Sequence, residues 1–411
     1  MQTSPDRRSV YRRRRIVVFS VLGVLLIGAA YSLGMLLAPL PASAAVLEPA
    51  HTIAAPAATP VWPGAGSAAI SAVGYDGLLA QNGSTASVPI ASMTKTITAL
   101  VILDAKPIPA GSEGPTIQFT NADVQIFKQV IAEGGSWAPV VAGEQLTEKQ
   151  ALEAMLLPSA NNYAISLAVW SHGSVAGFLA AANAWLKAHG FTGTHLTDPS
   201  GLDPGTVSTA SDLVGIGKLV LANPTLSAIV KTQTVTLPGA GTQTNGNALL
   251  GKDGIDGIKT GFTDEAGHCL MFSAQGIVGG HAVTLVGVVL NEQSYDALWT
   301  TVPPLLASAK NGFHSVALTG SGKTFGTYTT PWGAKTTLVS TAPSSTLVWS
   351  DTPITVSTTA RSVSVAGAGD QVGTVTFKVG KTTVTKPLTV KRTVPAPGFW
   401  WRLTHPFVLL G

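Results

Sequence analysis

Residues Ile16 to Ala38 carry no charge and sit directly behind a run of arginines, and this pairing decides where the rest of the chain must fold. A helix needs about 20 apolar residues to cross a bilayer, and this stretch is long enough. Arginines in front of a span stay on the cytoplasmic side, so the remainder is expected outside the cytoplasm. Ala42-Ser43-Ala44 would offer a cleavage site if the segment were a signal peptide. The apolar stretch is longer than a usual signal core, which favours a retained membrane anchor.

Export shapes the reading of charge and cysteine. The formal net charge is +4, yet Arg7, Arg8 and Arg12 to Arg15 supply six of the 25 basic residues. Without them and Asp6, 19 basic residues face 20 acidic ones, so the excess is assigned to the tail. Only three arginines follow residue 15, which argues against a nucleic-acid-binding face. The lone Cys269 excludes an intrachain disulfide, and its apolar neighbours read as core.

Composition shifts divide the 411 residues into a basic cytoplasmic tail (1–15), the apolar span (16–38), a Pro/Ala-rich linker (39–60), a main domain (61–312), a β-rich domain (316–392) and an aromatic tail (393–411). In the main domain, 69–73 and 78–80 read as a hairpin around Gly74 to Gly77. Helices are expected over 92–103, 161–170, 209–221 and 295–309, with a capping box at Thr147 and Gln150 before another that Pro158 ends. Apolar strands are expected over 269–274 and 282–290, joined by Gly276 to Gly280. Beyond 316, Thr/Val alternation replaces helical spacing. Phe399, Trp400, Trp401 and Phe407 suit either a membrane interface or packing on the β-domain.

Three short motifs carry the chemistry: Ser92-Met93-Thr94-Lys95, Ser159-Ala160-Asn161 and Lys259-Thr260-Gly261. Ser92 and Lys95 are three apart, on one helical face. A serine hydroxyl needs a base, and a lysine serves only if burial, a helix N-terminus or a second cation such as Lys259 disfavours its ammonium form. Ser92 is thus the expected nucleophile and Lys95 the general base. Ser159, in the turn after Pro158, is placed to relay a proton, and Asn161 to hydrogen-bond substrate and hold Lys95. Helix capping is the plainer reading of both. Lys259 and Thr260, on a strand, suit a substrate carboxylate, while Gly261 permits close backbone approach. The N–H groups of Ser92 and Phe262 would hold an oxyanion.

In this order, the motifs resemble those of the low-molecular-mass penicillin-binding proteins, the D-alanyl-D-alanine carboxypeptidase family. Gly201-Leu202-Asp203, Ser208-Thr209-Ala210 and Asp256 to Thr263 add to the likeness, which covers roughly residues 65 to 310. The resemblance implies an α+β, transpeptidase-like fold: a five-stranded antiparallel sheet with packed helices and a helical subdomain. It implies hydrolysis of peptidoglycan stem peptides ending in D-Ala-D-Ala through an acyl-serine, and binding of β-lactam antibiotics. No cofactor or metal is implied. Some members carry a C-terminal β-domain and a membrane anchor, and both elements are expected in this chain. Two positions depart from the common pattern: Val207 stands where many members have histidine, and Ala160 where the second motif often has glycine.

Competing readings lack their residues. No Glu-x-x-Leu-Asn stretch follows the second motif, as a β-lactamase would need. The eight histidines form no HxxxH pair for zinc, and no GxSxG elbow appears. Gly320 to Thr324 imitates a phosphate loop, but Ala317 replaces its first glycine. A cross-link-cutting endopeptidase and a non-catalytic wall-binding scaffold on the same fold stay open.

Overall fold

The computed structural model describes residues 7–410, so the first six residues of the basic tail lie outside it. The chain divides into two compact units, residues 56–314 and residues 1–55 with 315–411.

The larger unit is built on a five-stranded antiparallel sheet in the order Ile255–Thr263, Gly267–Val278, His281–Glu292, Ser67–Ala72 and Ala80–Asn82. The two long central strands extend past the expected boundaries, so the glycine-rich connector is mostly strand. Only Gly279 and Gly280 turn, at φ 56° and 81°. The second strand buries nearly every residue from Val283 to Leu290, as a strand covered on both faces must.

Helix Thr94–Ala105 runs through the centre, with every residue from Thr94 to Leu103 buried. A helix apolar or buried all round can lie only inside a domain. Glu148–Leu156 begins with the expected capping box, Thr147 accepting from the Gln150 N–H and the Gln150 side chain accepting from the Thr147 N–H. Asn161–His172, Ala210–Ala222 and Tyr295–Asn311 form close to where spacing put them. Ile97, Met155, Tyr163, Leu213 and Met271 meet in one buried core.

The second unit begins with a helix over Arg7–Leu37, whose stretch Val10–Leu37 is long and apolar enough to cross a bilayer. Its main element is a seven-stranded sheet: Val46–Leu47, Thr324–Thr329, Lys335–Ser340, Thr382–Val390, Gln371–Val379, Ile354–Ala360 and His51–Ile53. The expected linker is therefore corrected. Two of its segments are the edge strands of this sheet, with Val46 opposite Thr327 and Ile53 opposite Ile354. Short strands at sheet edges limit unpaired backbone. Phe325, Tyr328, Val375 and Phe377 centre a separate core.

The aromatic tail packs within this unit. Helix Phe399–Thr404 places Trp401 edge-on to Trp332, with ring centroids 5.7 Å apart. Its Arg402 guanidinium donates to the carbonyls of Met35, Leu36 and Ala38 at 2.9–3.3 Å, satisfying groups that the N-terminal helix leaves open at its end. Tyr31 Oη donates to the Leu403 carbonyl at 2.8 Å.

Candidate active site

Ser92 lies in a 3₁₀ turn, Ala91–Met93, that feeds straight into helix Thr94–Ala105. Ala91 has φ 46°, a conformation that side-chain-bearing residues rarely adopt, so the turn stores strain beside the hydroxyl. Thr94 and Thr96 hold it by donating from their hydroxyls to the carbonyls of Ala91 and Met93, each at 2.7 Å.

Lys95 is fully buried. Its Nζ lies 2.9 Å from Ser92 Oγ, 2.6 Å from Asn161 Oδ1 and 2.9 Å from the Ser200 carbonyl. Burial pushes the amine well below its ordinary range, the charge of Lys259 adds to this, and Asp198 opposes both. Lys259 is also buried, which alone pushes it down to about 7. Lys259 bears on Lys95 through its charge, across the cleft.

The strand Ile255–Thr263 is an edge of the five-stranded sheet, and it passes the Ser92 turn. A Cβ at Gly261 would stand 3.1 Å from the Ser92 nitrogen and 3.1 Å from the Ile90 carbonyl oxygen, so a side chain there would crowd the Ser92 turn. Thr260 is buried. Phe262 is 46% exposed and stacks on His268 at 4.3 Å, which meets Tyr295 edge-on at 4.5 Å. These rings wall the open end of the strand.

Ser159 and Asn161 do not cap the helix that follows; its N-cap is Ala160, without a side-chain bond. Ser159 has φ 67°, and its buried Oγ has no partner among the described residues. A strained residue with an unsatisfied buried hydroxyl is a costly arrangement for a structural turn. Asn161 Oδ1 accepts from Lys95 Nζ, and its Nδ2 lies against Gly135, where a Cβ would come within 2.7 Å. Structure therefore gathers Ser92, Lys95 and Asn161 through one amine, sets Gly261 against the Ser92 turn and leaves Ser159 unpaired.

Sequence reasoning missed the floor of the site. Asp198 accepts hydrogen bonds from the N–H groups of Ser200, Gly201 and Leu202 and from the hydroxyls of Ser200 and Thr206. Thr98 donates to the Pro199 carbonyl at 2.7 Å. Gly201, at φ 82°, fits beneath the Ser92 turn where a Cβ would overlap the Ala91 carbonyl. Together these ties aim the Ser200 carbonyl at Lys95. The available signal was the Asp198-Pro199-Ser200-Gly201 turn composition, which marks a tight loop without saying what its backbone does. Cys269 is buried core, its thiol pushed up to about 11 by burial. Among the described residues, no group of three His, Cys, Asp or Glu side chains is placed to hold a metal.

The family model Peptidase_S11, described as D-alanyl-D-alanine carboxypeptidase, matches residues 63–294. A D-alanyl-D-alanine endopeptidase of Escherichia coli K12 is 32% identical over 270 residues, 62% of this chain and 80% of that protein. The D-alanyl-D-alanine carboxypeptidase DacA of the same organism is 32% identical over 188 residues, but there the chain spans only 46% of the relative's length. Penicillin-binding protein 5 of Haemophilus influenzae superposes with a TM-score of 0.58 at 20% identity, over 82% of this chain and 98% of that one, and so shares the fold. The Streptomyces K15 DD-transpeptidase superposes at 0.53 with 25% identity, over 62% and 98%. With more than half its length matched and its serine, lysine and edge strand assembled in one cleft, the chain belongs to the D-alanyl-D-alanine carboxypeptidase family.

Proposed function

We propose that the chain removes the terminal D-alanine from peptidoglycan stem peptides, with Ser92 as nucleophile and Lys95 as general base. The observation that carries this is the surroundings of the Lys95 amine. Two of its neighbours, Asn161 Oδ1 and the Ser200 carbonyl, can only accept. A neutral amine has two N–H donors and one lone pair. The two acceptors take the donors, so the lone pair faces Ser92 Oγ, 2.9 Å away, ready for its proton.

The steps then follow from placement. An extended peptide lies along the edge strand Ile255–Thr263, its terminal carboxylate at Lys259 and Thr260. Ser92 Oγ attacks the carbonyl of the penultimate D-alanine, and its proton passes to Lys95. The N–H groups of Ser92 and Phe262 hold the resulting oxyanion. Collapse breaks the peptide bond, and the leaving amine takes a proton through Ser159. A water, deprotonated by Lys95, hydrolyses the acyl-serine and frees the shortened peptide. β-Lactams enter the same path and stop at the acyl-enzyme. The apolar N-terminal helix anchors the chain, with the peptidase unit outside the cytoplasm.

The endopeptidase relative, matched over most of its length, gives a second reading in which the bond cut is a cross-link. Digestion of defined muropeptides separates them. Free D-alanine released from a pentapeptide is expected; cleaved dimers with no D-alanine would favour the endopeptidase.

A further inference from the structure

The net charge hides a division. The unit of residues 56–314 carries ten Lys and Arg against seventeen Asp and Glu, a net of −7. In the other unit, beyond the apolar helix, nine Lys and Arg face only Glu48, Asp351 and Asp370, a net of +6. The two halves cancel in the total, so the basic excess of the chain is not confined to its first residues.

Part of this positive charge is gathered in one place. A cavity of about 510 Å³ opens between strands Thr324–Thr329 and Lys335–Ser340 and the end of Thr382–Val390, lined by Lys335, Lys391 and Arg392 with threonines and Tyr328. No carboxylate lines it. The three cations are exposed, and none forms an ion pair among the described residues. The frame is fixed: Thr336 Oγ1 donates to the Arg392 carbonyl at 2.9 Å and accepts from the Arg392 N–H at 3.0 Å. Like charges gathered on a rigid frame without counter-ions repel one another, a cost that an external anion relieves.

The position of the groove identifies that anion. Trp332 lies in the turn between the first two strands, donates from Nε1 to the Pro395 carbonyl at 2.9 Å, and meets Trp401. The next residue, Arg402, is bonded to the last carbonyls of the apolar N-terminal helix. Beside it, Trp400 is 74%, Phe407 90% and Leu410 69% exposed. Exposed aromatic and aliphatic side chains at the end of an apolar span belong at the headgroup level of a bilayer. A soluble polyanion would leave them in water, whereas a membrane surface takes both the rings and the cations.

We propose that this β-rich unit docks on anionic phospholipid headgroups, through Lys335, Lys391 and Arg392, on the membrane that its own N-terminal helix crosses. The test uses the full chain reconstituted in vesicles, with an environment-sensitive dye on Thr329→Cys. Thr329 is exposed at the groove, and buried Cys269 stays unlabelled. Quenching by neutral acrylamide is compared between phosphatidylcholine vesicles and vesicles containing about one-third phosphatidylglycerol. Quenching is expected to fall about twofold with the anionic lipid and to recover in about 1 M NaCl, where the screening length drops to about 3 Å. Lys335→Glu/Lys391→Glu/Arg392→Glu should abolish the protection. Lys378→Glu/Lys381→Glu, a change of the same sign at the far end of Thr382–Val390, should keep it. Should the triple variant fail to fold, the salt titration of the labelled protein still decides. Equal quenching in both vesicle types overturns the proposal. So does protection that appears only when a soluble anionic wall polymer is added to phosphatidylcholine vesicles.

Discussion

The two units use charge in opposite ways. In the peptidase unit Lys95, Lys259 and Glu148 are buried, and burial shifts each toward its neutral form. In the β-rich unit, Lys335, Lys391 and Arg392 stay exposed to solvent. Desolvated charge is a reagent, because the protonation state can be exchanged with a substrate near neutral pH. Solvated charge is an adhesive, because it holds a long-range attraction and asks little of the fold. The lesson is that the net charge of a two-unit chain describes neither unit.

The comparison breaks first at the nucleophile. Ser92→Ala or Lys95→Ala should each reduce acylation by fluorescent penicillin by at least about 10³-fold, the two together costing little more than either alone. Rates that multiplied instead would show that serine and lysine do not act as a pair. The β-rich core supplies the contrast: Phe377→Ala, at a fully buried site, should destabilise that unit by about 3–5 kcal/mol in a thermal melt. The rate of penicillin acylation should stay unchanged, and a parallel loss would mean that the two units are not energetically separate.

Asp198→Asn sharpens the picture within the site. It should lower the plateau of the acylation rate about tenfold to a hundredfold by loosening the Ser200 carbonyl. Removing the negative charge also lowers the Lys95 pKa further, so the acid limb of the pH–rate profile should move to lower pH. A purely structural role would lower the plateau and leave the limb in place. For the free enzyme, Lys259 is charged below about 7, so kcat/KM for a peptide with a free carboxylate should fall as pH rises through that value.

The smallest effect concerns Glu148, fully buried, with neither carboxylate oxygen partnered among the described residues and its pKa raised by burial to about 7. A carboxyl whose folded pKa exceeds its unfolded one stabilises the fold at low pH, and that contribution is lost as pH rises through 4.5 to about 7. Glu148→Gln should therefore flatten the dependence of Tm on pH and add about 1 kcal/mol at pH 8.

Much of this was legible in the chain. Apolar residues spaced through Ser92 to Leu103 gave the central helix, and Thr147 with Gln150 gave the start of the next. Thr/Val alternation gave the β-rich unit, and the motifs gave Ser92, Lys95 and Asn161, which the fold joins. Three features were hidden for physical reasons. Residues 46–47 and 51–53 are too short and too rich in neighbouring proline to signal strands, and their partners lie hundreds of residues away. The Ser200 carbonyl is backbone, so no side-chain pattern announces it. The charge division vanished in a sum taken across both units.

Mass spectrometry of the intact protein after brief exposure to benzylpenicillin, followed by mapping of the modified peptide, tests most directly whether a buried, uncharged Lys95 makes Ser92 reactive. The mass should rise by one whole penicillin with the adduct on Ser92, faster as pH climbs through the titration of Lys95 and absent in Ser92→Ala. An unmodified protein, an adduct on another residue, or a rate indifferent to pH would contradict it.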